Sequence, residues 1–508
     1  MVRKLLLILL LILLPYSAWA TNYYISAAGS GSSCTSESPC ALATAVAAAG
    51  SNDTIFFKSD DTWTNASVAT VLDAVAGVTY DGSTYGSGTR AKILTGHEVS
   101  YGHSATVSIG VSNVTFKGFD VDGDNNSYNT YGIYIGEGIS GETISSITID
   151  NCVIHHTGKD DWSYGILVSS KSATSATISN VSITNSTVRD NYHEGIAIYQ
   201  AWGYPGNNTD TVLVRNCTVY NNLVGVLIAN DSDDVTVEYC NIHDNTNEGI
   251  WVRTSPEGDN GYPDGFVIRY NLIYENPNIG FTTQTGLATA MNGSIYGNLF
   301  YNNGEFDLSI PHGDYNPGTF NIYNNTFYNT VSTSGFGVVN ITPYSNAVPH
   351  APTVNFKNNI IYSSALSFYD HYGYATHSDN LIYRASGNAV TDNGSSYTSA
   401  QITNWDETAI GTSPAFSGGT LPTGFSGTYG TNMIPNTDYF QLTVDSPAKD
   451  TGATLASYTG SINGAGLTTP IVRPLGAAFD IGAYEYGTVA QSGGSAGSGL
   501  KFQGVTIK

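Results

Sequence analysis

Short runs of alternating apolar and polar residues, broken by Asn, Asp and Gly, recur along most of the chain. They are clearest from Asp210 to Thr254, where DTVLVRNCTVYNNLVGVLIAN is followed by SDDVTVEYCNIHDNTNEGIWVRT. Each half holds an alternating run (TVLVR, VTVEY), a Cys at a turn, a second run (TVY, NIH), an Asn-containing turn and a third run opening with Gly (GVLIA, GIWVR). Such alternation predicts strands, because successive strand side chains point to opposite faces. The two halves are one pattern written twice.

Further copies flank this pair. Upstream lie VTFKGFDVDG (114–123), SITIDNCVIHHTG with GILVSS, and VSITNSTVRDN with GIAIY. Downstream lie FVIRYNLIYEN with GFTTQ, GSIYGNLFYNNG with FDLSI, TFNIYNNTFYNT with FGVVN, TVNFKNNIIYSS and DNLIYRA. The position after the first strand runs Phe119, Cys152, Ser186, Cys217, Cys240, Asn271, Asn298, Asn325, Asn359, Asn380, at intervals of 21 to 34 residues. Three short strands per period, with almost no helical pattern, predict an all-β solenoid of three sheets. One coil cannot bury its own apolar face, but stacked coils share a continuous core. Equivalent residues then form columns, and an inward Asn column can bond to itself from coil to coil. A β-sandwich has similar strand lengths but no reason to keep one column of Cys and Asn.

Met1 to Ala20 reads as a signal peptide. Arg3 and Lys4 open it, LLLILLLILL is its apolar run, and Ala18-Trp19-Ala20 is a small-x-small cleavage site. The chain is therefore expected to be secreted or at the cell surface, with no membrane span after signal removal. Cleavage leaves about 488 residues and takes the net charge from −23 to −25. That charge argues against nucleic acid as a partner. Only 12% of residues are charged, so Tyr, Asn, Gly, Ser and Thr supply the polarity. Cys34 and Cys40 sit close together in an exported chain, which predicts a disulfide. Cys152, Cys217 and Cys240 read as buried thiols. A Cys217–Cys240 bridge on adjacent coils is conceivable, whereas Cys152 lies two coils from Cys217. Residues 39–49 (PCALATAVAAA) predict one helix, with Ser38 as N-cap, Pro39 at its first position and Gly50 after its end. It would cap the open end of the solenoid.

NYYISAAGSG with PCALATAVAAAGSNDTIFF near the start, and DSPAKDTG (445–452) with RPLGAAFDIGAYEY (473–486) near the end, carry a likeness. They resemble the opening and closing motifs of bacterial secreted right-handed parallel β-helix proteins of the pectate-lyase-like superfamily. The resemblance implies a right-handed parallel β-helix with an N-terminal capping helix and a C-terminal capping region. It divides the chain into a signal peptide (1–20), an N-terminal cap with first coils (21–110) and β-helix repeats (111–385). An irregular layer and closing region (386–487) and a flexible Gly/Ser-rich tail (488–508) follow. That superfamily holds lyases, hydrolases, epimerases and proteins of unassigned role. Neither DVDGDNNS nor EGDNGYPDG matches the paired-aspartate motif of polygalacturonases, or the calcium aspartates and catalytic Arg of classical pectate lyases.

The resemblance also implies an active groove outside one sheet, on the strand after the Gly turn. With Ile196, Ile198, Val226, Ile228, Ile250 and Val252 inward, the outward set is Leu167 and Ser169, Ala197 and Tyr199, Leu227 and Ala229, Trp251 and Arg253, Thr282 and Gln284, and Asp307 and Ser309. Trp251 offers a stacking platform for a sugar ring, and Arg253 a fork for a carboxylate. Long connections after Tyr199, Arg253 and Ser309 bring Trp202, Tyr204, Glu257, Asp259, Tyr262 and Asp264 towards this strip. Lys159, His193, Glu194 and Glu248 lie on the other flank. A lyase acting on a uronate needs a cation for the carboxylate and a base for the C5 proton. Arg253 fits the first role, and His193 or Lys159 the second. A glycoside hydrolase would use two of Asp307, Glu257, Glu194 and Glu248; the last two share a repeat position two coils apart, about 9.6 Å by strand spacing. No cofactor is required by this reading. Ca2+ is the one candidate, through DVDGDNNS (Asp120, Asp122, Asp124) or through Asp259 and Asp264, and neither stretch has an EF-hand's spacing. The column His155, Arg189, Tyr220, His243, Tyr274, Tyr301, Tyr328, Tyr362, Tyr383 reads as a structural stack. The expected partner is an extended polysaccharide and the expected state a monomer. The rival class is a non-enzymatic surface or matrix β-solenoid.

Overall fold

The computed structural model describes residues 20–65, 70–95, 104–124, 130–158, 163–170, 175–200, 207–254, 261–284, 291–312, 318–343, 352–429, 433–455 and 477–484. These fall into two compact units, divided between His193 and Glu194. Each unit is a right-handed parallel β-helix of three sheets.

In the first unit, one sheet runs from Asn22–Ile25 through Thr54–Lys58 to Thr177–Thr184, every neighbour parallel. A second begins at Thr62–Trp63 and ends at Thr187–Arg189. A third begins at Leu72–Asp73 and reaches Ile166–Val168. Coils therefore start before residue 110, where the sequence repeat is faint.

The helix is shorter than the sequence predicts. It spans Leu42–Ala48, with Ala41 at the N-cap position and no side-chain cap. Cys40 is held out of it as a strand partner of Ile25: its N–H donates to the Tyr24 carbonyl (3.1 Å) and its carbonyl accepts from Ser26. Cys40 is also joined to Cys34 by a disulfide with a Cα–Cα distance of 4.6 Å.

In the second unit, the third sheet carries the strip singled out above. Its parallel order is Glu194–Tyr199, Val224–Ala229, Glu248–Arg253, Ile279–Gln284, Phe306–His312, Val339–Pro343, Phe368–Asp370 and Asn388–Asp392. Ser395–Thr398 closes it antiparallel, as a hairpin.

The turns explain the Asn-rich text. Between the first and second strands of a coil sits one residue with positive φ: Asn151, Asn185, Asn216, Tyr239, Tyr270, Asn324, Asn358 and Asp379 lie between 51° and 56°. Asn and Asp tolerate this left-handed region better than other non-glycine residues. The next residue turns inward and forms the predicted column. Cys240, Asn271, Asn298, Asn325, Asn359 and Asn380 are all buried. The backbone N–H and Nδ2 of Asn298 both donate to Oδ1 of Asn325, at 3.1 and 3.0 Å, and those of Asn325 to Oδ1 of Asn359, at 3.0 and 3.1 Å. The remaining Nδ2 protons reach the Ile268 and Ile295 carbonyls. Cys152, Cys217 and Cys240 are buried thiols outside any disulfide, and burial pushes the Cys152 thiol up to about 12.

The aromatic column stacks as expected: Tyr220 on His243 at 5.1 Å, His243 on Tyr274 at 4.8 Å, Tyr274 on Tyr301 at 4.5 Å. The C-terminal layer covers this outer face of the second sheet. Phe416, Leu421, Phe425, Tyr439 and Phe440 pack on Leu272, Tyr274, Leu299 and Tyr301. The two C-terminal motifs pair with one another: Gly452 N–H donates to the Phe479 carbonyl and Asp450 N–H to the Asp480 carboxylate.

Candidate functional site

After the Gly that opens each strand, period two fixes the direction of the side chains of Ile196–Tyr199, Val226–Ala229 and Ile250–Arg253. Ile196, Ile198, Val226, Ile228, Ile250 and Val252 are fully buried in the coil interior. Their neighbours point out, but pointing out is not the same as exposure. Ala197, Leu227 and Ala229 are buried, and Tyr199 is only 8% exposed. In the first unit Leu167 and Ser169, expected outward, are buried too. The outer strip becomes accessible at Trp251 and Arg253, both half-buried, and at Gln284, which is exposed. Thr282 and Ser309 beside them are buried.

Trp251 and Arg253 act on one another. The Arg253 guanidinium lies 4.5 Å from the centre of the Trp251 ring. A cation over an aromatic face is attracted by the ring quadrupole. The contact fixes a long side chain that would otherwise sample many rotamers, and holds its charge over a flat apolar surface.

Glu194 and Glu248 share one register position, with Val224 between them. Both are buried at the start of their strands. Burial raises the Glu248 pKa to about 7 and the Glu194 carboxylate adds to the rise; Asn247 and Arg253 work in the opposite direction. Glu248 is thus a carboxyl group that changes charge near neutrality, within the field of Arg253.

Asp307 requires a correction. The sequence reading set it level with Trp251, as an outward residue. Ile279 pairs with Phe306 and Phe281 with Leu308, so Asp307 stands opposite Gly280, two residues earlier. It continues a column of Gly195, Gly225, Gly249 and Gly280. At each of these a Cβ would come within 2.7–2.9 Å of a ladder amide, that of Asn222, Asn245, Asn276 or Asn303. The Asp307 side chain enters that space and is fully buried. Its Oδ1 accepts from Asn303 N–H (3.2 Å), Asn303 Nδ2 (2.8 Å) and Asn329 Nδ2 (3.1 Å). Burial raises its pKa to about 7. Asp307 ends a second asparagine ladder and does not face a groove. The missing Gly in FDLSI was the available signal.

Tyr262 is half-buried and Asp264 exposed. Asp264 accepts from Asn292 Nδ2 at 2.8 Å, and its N–H donates to Asp233 at 3.1 Å. His193 belongs to the first unit, with its ring 6.0 Å from Tyr164. Lys159, Trp202, Tyr204, Glu257 and Asp259 lie outside the described residues. Among the described residues, one set of three or more His, Cys, Asp or Glu has metal-ligating geometry: Asp122, His155 and His156. In the sequence His155 belongs to the stacked column and Asp122 to DVDGDNNS, and only the strand register makes them neighbours. No helix among the described residues is long and apolar enough to cross a membrane.

Among curated proteins, none matches the chain in sequence. Solved structures resemble it at low identity. Pectate lyase Pel9A has 16% identity over 92% of this chain and 97% of its own, with a TM-score of 0.49. The A-module of an Azotobacter vinelandii mannuronan C-5 epimerase has 16% identity over 68% and 92%, with a TM-score of 0.49. A rhamnogalacturonan lyase has 14% identity over 71% and 87%, with a TM-score of 0.40. The model of the right handed beta helix region matches residues 53–327 and 206–406. With more than half its length matched and parallel three-sheet coils in both units, the chain belongs to the right-handed β-helix family.

Proposed function

We propose that the chain is exported through its N-terminal signal peptide and acts as a lyase on an extended uronate-containing polysaccharide. The observation that carries the proposal is the arrangement of Trp251, Arg253 and Glu248 on one strand. Trp251 is a platform for one sugar ring, and stacking there contributes about 0.5–1.5 kcal/mol beyond burial, by analogy with aromatic pairs. Arg253 beside it neutralises the uronate carboxylate, which acidifies the proton at C5. Glu248, with a pKa of about 7, removes that proton in its ionised form. Elimination then breaks the bond to the leaving glycan oxygen and leaves a double bond in the ring.

A hydrolase using Glu194 and Glu248 is the second reading. Their two-coil separation of about 9.6 Å stands at the upper edge of the roughly 6.5–9.5 Å of inverting pairs.

Incubation with a panel of uronate glycans tests the proposal. A lyase gives new unsaturated ends, at a rate that rises with pH through about 7 as Glu248 ionises. Arg253→Lys should lower that rate at least about tenfold, because an ammonium group cannot reproduce the planar fork. Reducing ends without unsaturation would replace the lyase with the hydrolase. Neither signal on any glycan would leave a binding or structural solenoid.

A further inference from the structure

We propose that Asp122, His155 and His156 form a binding site for a first-row divalent cation of the zinc class. All three lie in the first unit, on its second sheet and the turn after it. The proposal is independent of the glycan site.

The register brings the ligands together. Phe119–Asp122 pairs with Val153–His155, which sets His155 opposite Asp122 on the next coil. The chain then turns at His156, whose φ of 56° is left-handed. Gly123 makes the approach possible: a Cβ there would lie 2.4 Å from the His156 carbonyl oxygen and 2.6 Å from the Thr157 Cα. Any larger residue would push the His156 turn away from Asp122.

The three ligand atoms form a triangle. His155 Nδ1 is 2.8 Å from His156 Nδ1 and 3.8 Å from Asp122 Oδ1, and His156 Nδ1 is 3.5 Å from Asp122 Oδ1. Ligands at about 2.0–2.1 Å from a tetrahedral zinc ion stand roughly 3.3 Å apart, and these edges bracket that value. Two imidazole nitrogens face one another at 2.8 Å, so without a cation a single proton must sit between them. A cation replaces that proton and takes both lone pairs.

The surrounding groups suit a ligand set. His155 Nε2 lies 2.8 Å from Asp120 Oδ1. A carboxylate on the far nitrogen keeps the proton there and turns Nδ1 towards the cation, the usual partner of a ligating histidine. The two carboxylate oxygens of Asp122 have different partners. Lys92 occupies Oδ2 at 2.7 Å. Oδ1 accepts from the Asp124 N–H at 2.9 Å and keeps a lone pair for the cation. Imidazole with one carboxylate favours zinc and its neighbours over calcium, which takes oxygen ligands.

The test uses the full exported chain, stripped with a chelator and dialysed. Zn2+ is titrated by calorimetry, and Co2+ serves as the visible-spectrum probe. The expected result is one equivalent of either ion, a tetrahedral Co2+ spectrum, and an unfolding midpoint that rises with Zn2+. His156→Asn keeps a residue that tolerates the left-handed turn and should weaken binding more than about 100-fold; Asp120→Asn should weaken it about 10–100-fold. His243→Gln, in the aromatic stack of the second unit, should leave it unchanged. No stoichiometric uptake would overturn the proposal. So would wild-type affinity in a His156→Asn protein whose metal-free unfolding midpoint is unchanged.

Discussion

Two asparagine ladders run through the second unit and they end differently. The first, from Asn271 to Asn380, is amide to its last member. Asn359 N–H and Nδ2 donate to Asn380 Oδ1 at 2.9 and 3.2 Å, and Asn380 Nδ2 donates to the Phe356 carbonyl. The second passes from Asn222 to Asn245, Asn276 and Asn303, then meets the Asp307 carboxylate. The donors are alike and the geometry is alike, but the terminal acceptor differs in charge. An amide column satisfies itself at any pH. A column ending in a buried carboxyl depends on whether that carboxyl is protonated. The same hydrogen-bond pattern is therefore a pH-independent staple in one place and a titrating one in the other.

Breaking the first ladder should have the largest effect. Asn325 accepts from the N–H and Nδ2 of Asn298 and donates to Asn359 Oδ1 and the Ile295 carbonyl. Asn325→Leu leaves several of these groups buried without partners, at about 1–3 kcal/mol for each. The expected loss exceeds about 3 kcal/mol, read as a fall in the denaturant midpoint of the unfolding transition. An unchanged midpoint would mean that Asn325 does not sit in the column.

Asp307→Asn sharpens the contrast by making the second ladder amide as well. The folded pKa of Asp307, about 7, is above its ordinary value of 3.8. The folded state therefore holds the proton more tightly than the unfolded chain. The stability contribution is fully present below about pH 4 and is lost as pH rises through about 7. Above that pH the substitution should stabilise the protein, on the order of 1–3 kcal/mol. It should also flatten the part of the pH 4–7 decline that Asp307 causes. Glu248 titrates in the same window, so the slope should shrink and not vanish. Unfolding midpoints of both proteins at pH 5 and pH 8 decide this.

What repeats was legible in the sequence, and what breaks the repeat was not. Asn298 and Asn325 occupy a position filled by like residues coil after coil, so their inward direction followed from counting. Asp307 was misplaced because FDLSI has no Gly to mark the turn; period two made it outward, whereas it fills the inward space that Gly leaves open on the other coils. Exposure failed for a similar reason. Ala197 and Leu227 alternate with inward residues and are nonetheless buried, because period two sets a side chain's direction and not its exposure. The His155–His156–Asp122 set was missed because its members belong to different coils, and only the strand register makes them neighbours.

The smallest effect on stability is expected at Trp251. Ile250 and Val252 on either side are fully buried, whereas Trp251 stands on the outer face under the Arg253 guanidinium. Trp251→Ala removes a half-exposed ring and one cation–π contact, worth about 0.5–1 kcal/mol at an exposed site, and opens no cavity in the coil. Ile250→Ala should instead cost about 2–5 kcal/mol, because the packed interior cannot close around the lost methylenes. Neighbouring residues on one strand should thus differ by a factor of several in their effect on the unfolding midpoint. Glycan binding should respond in the opposite order, weakened by Trp251→Ala and untouched by an Ile250→Val change that leaves the coil folded. A Trp251→Ala midpoint as low as that of Ile250→Ala would mean that the ring belongs to the core and that the outer strip is shifted by one residue.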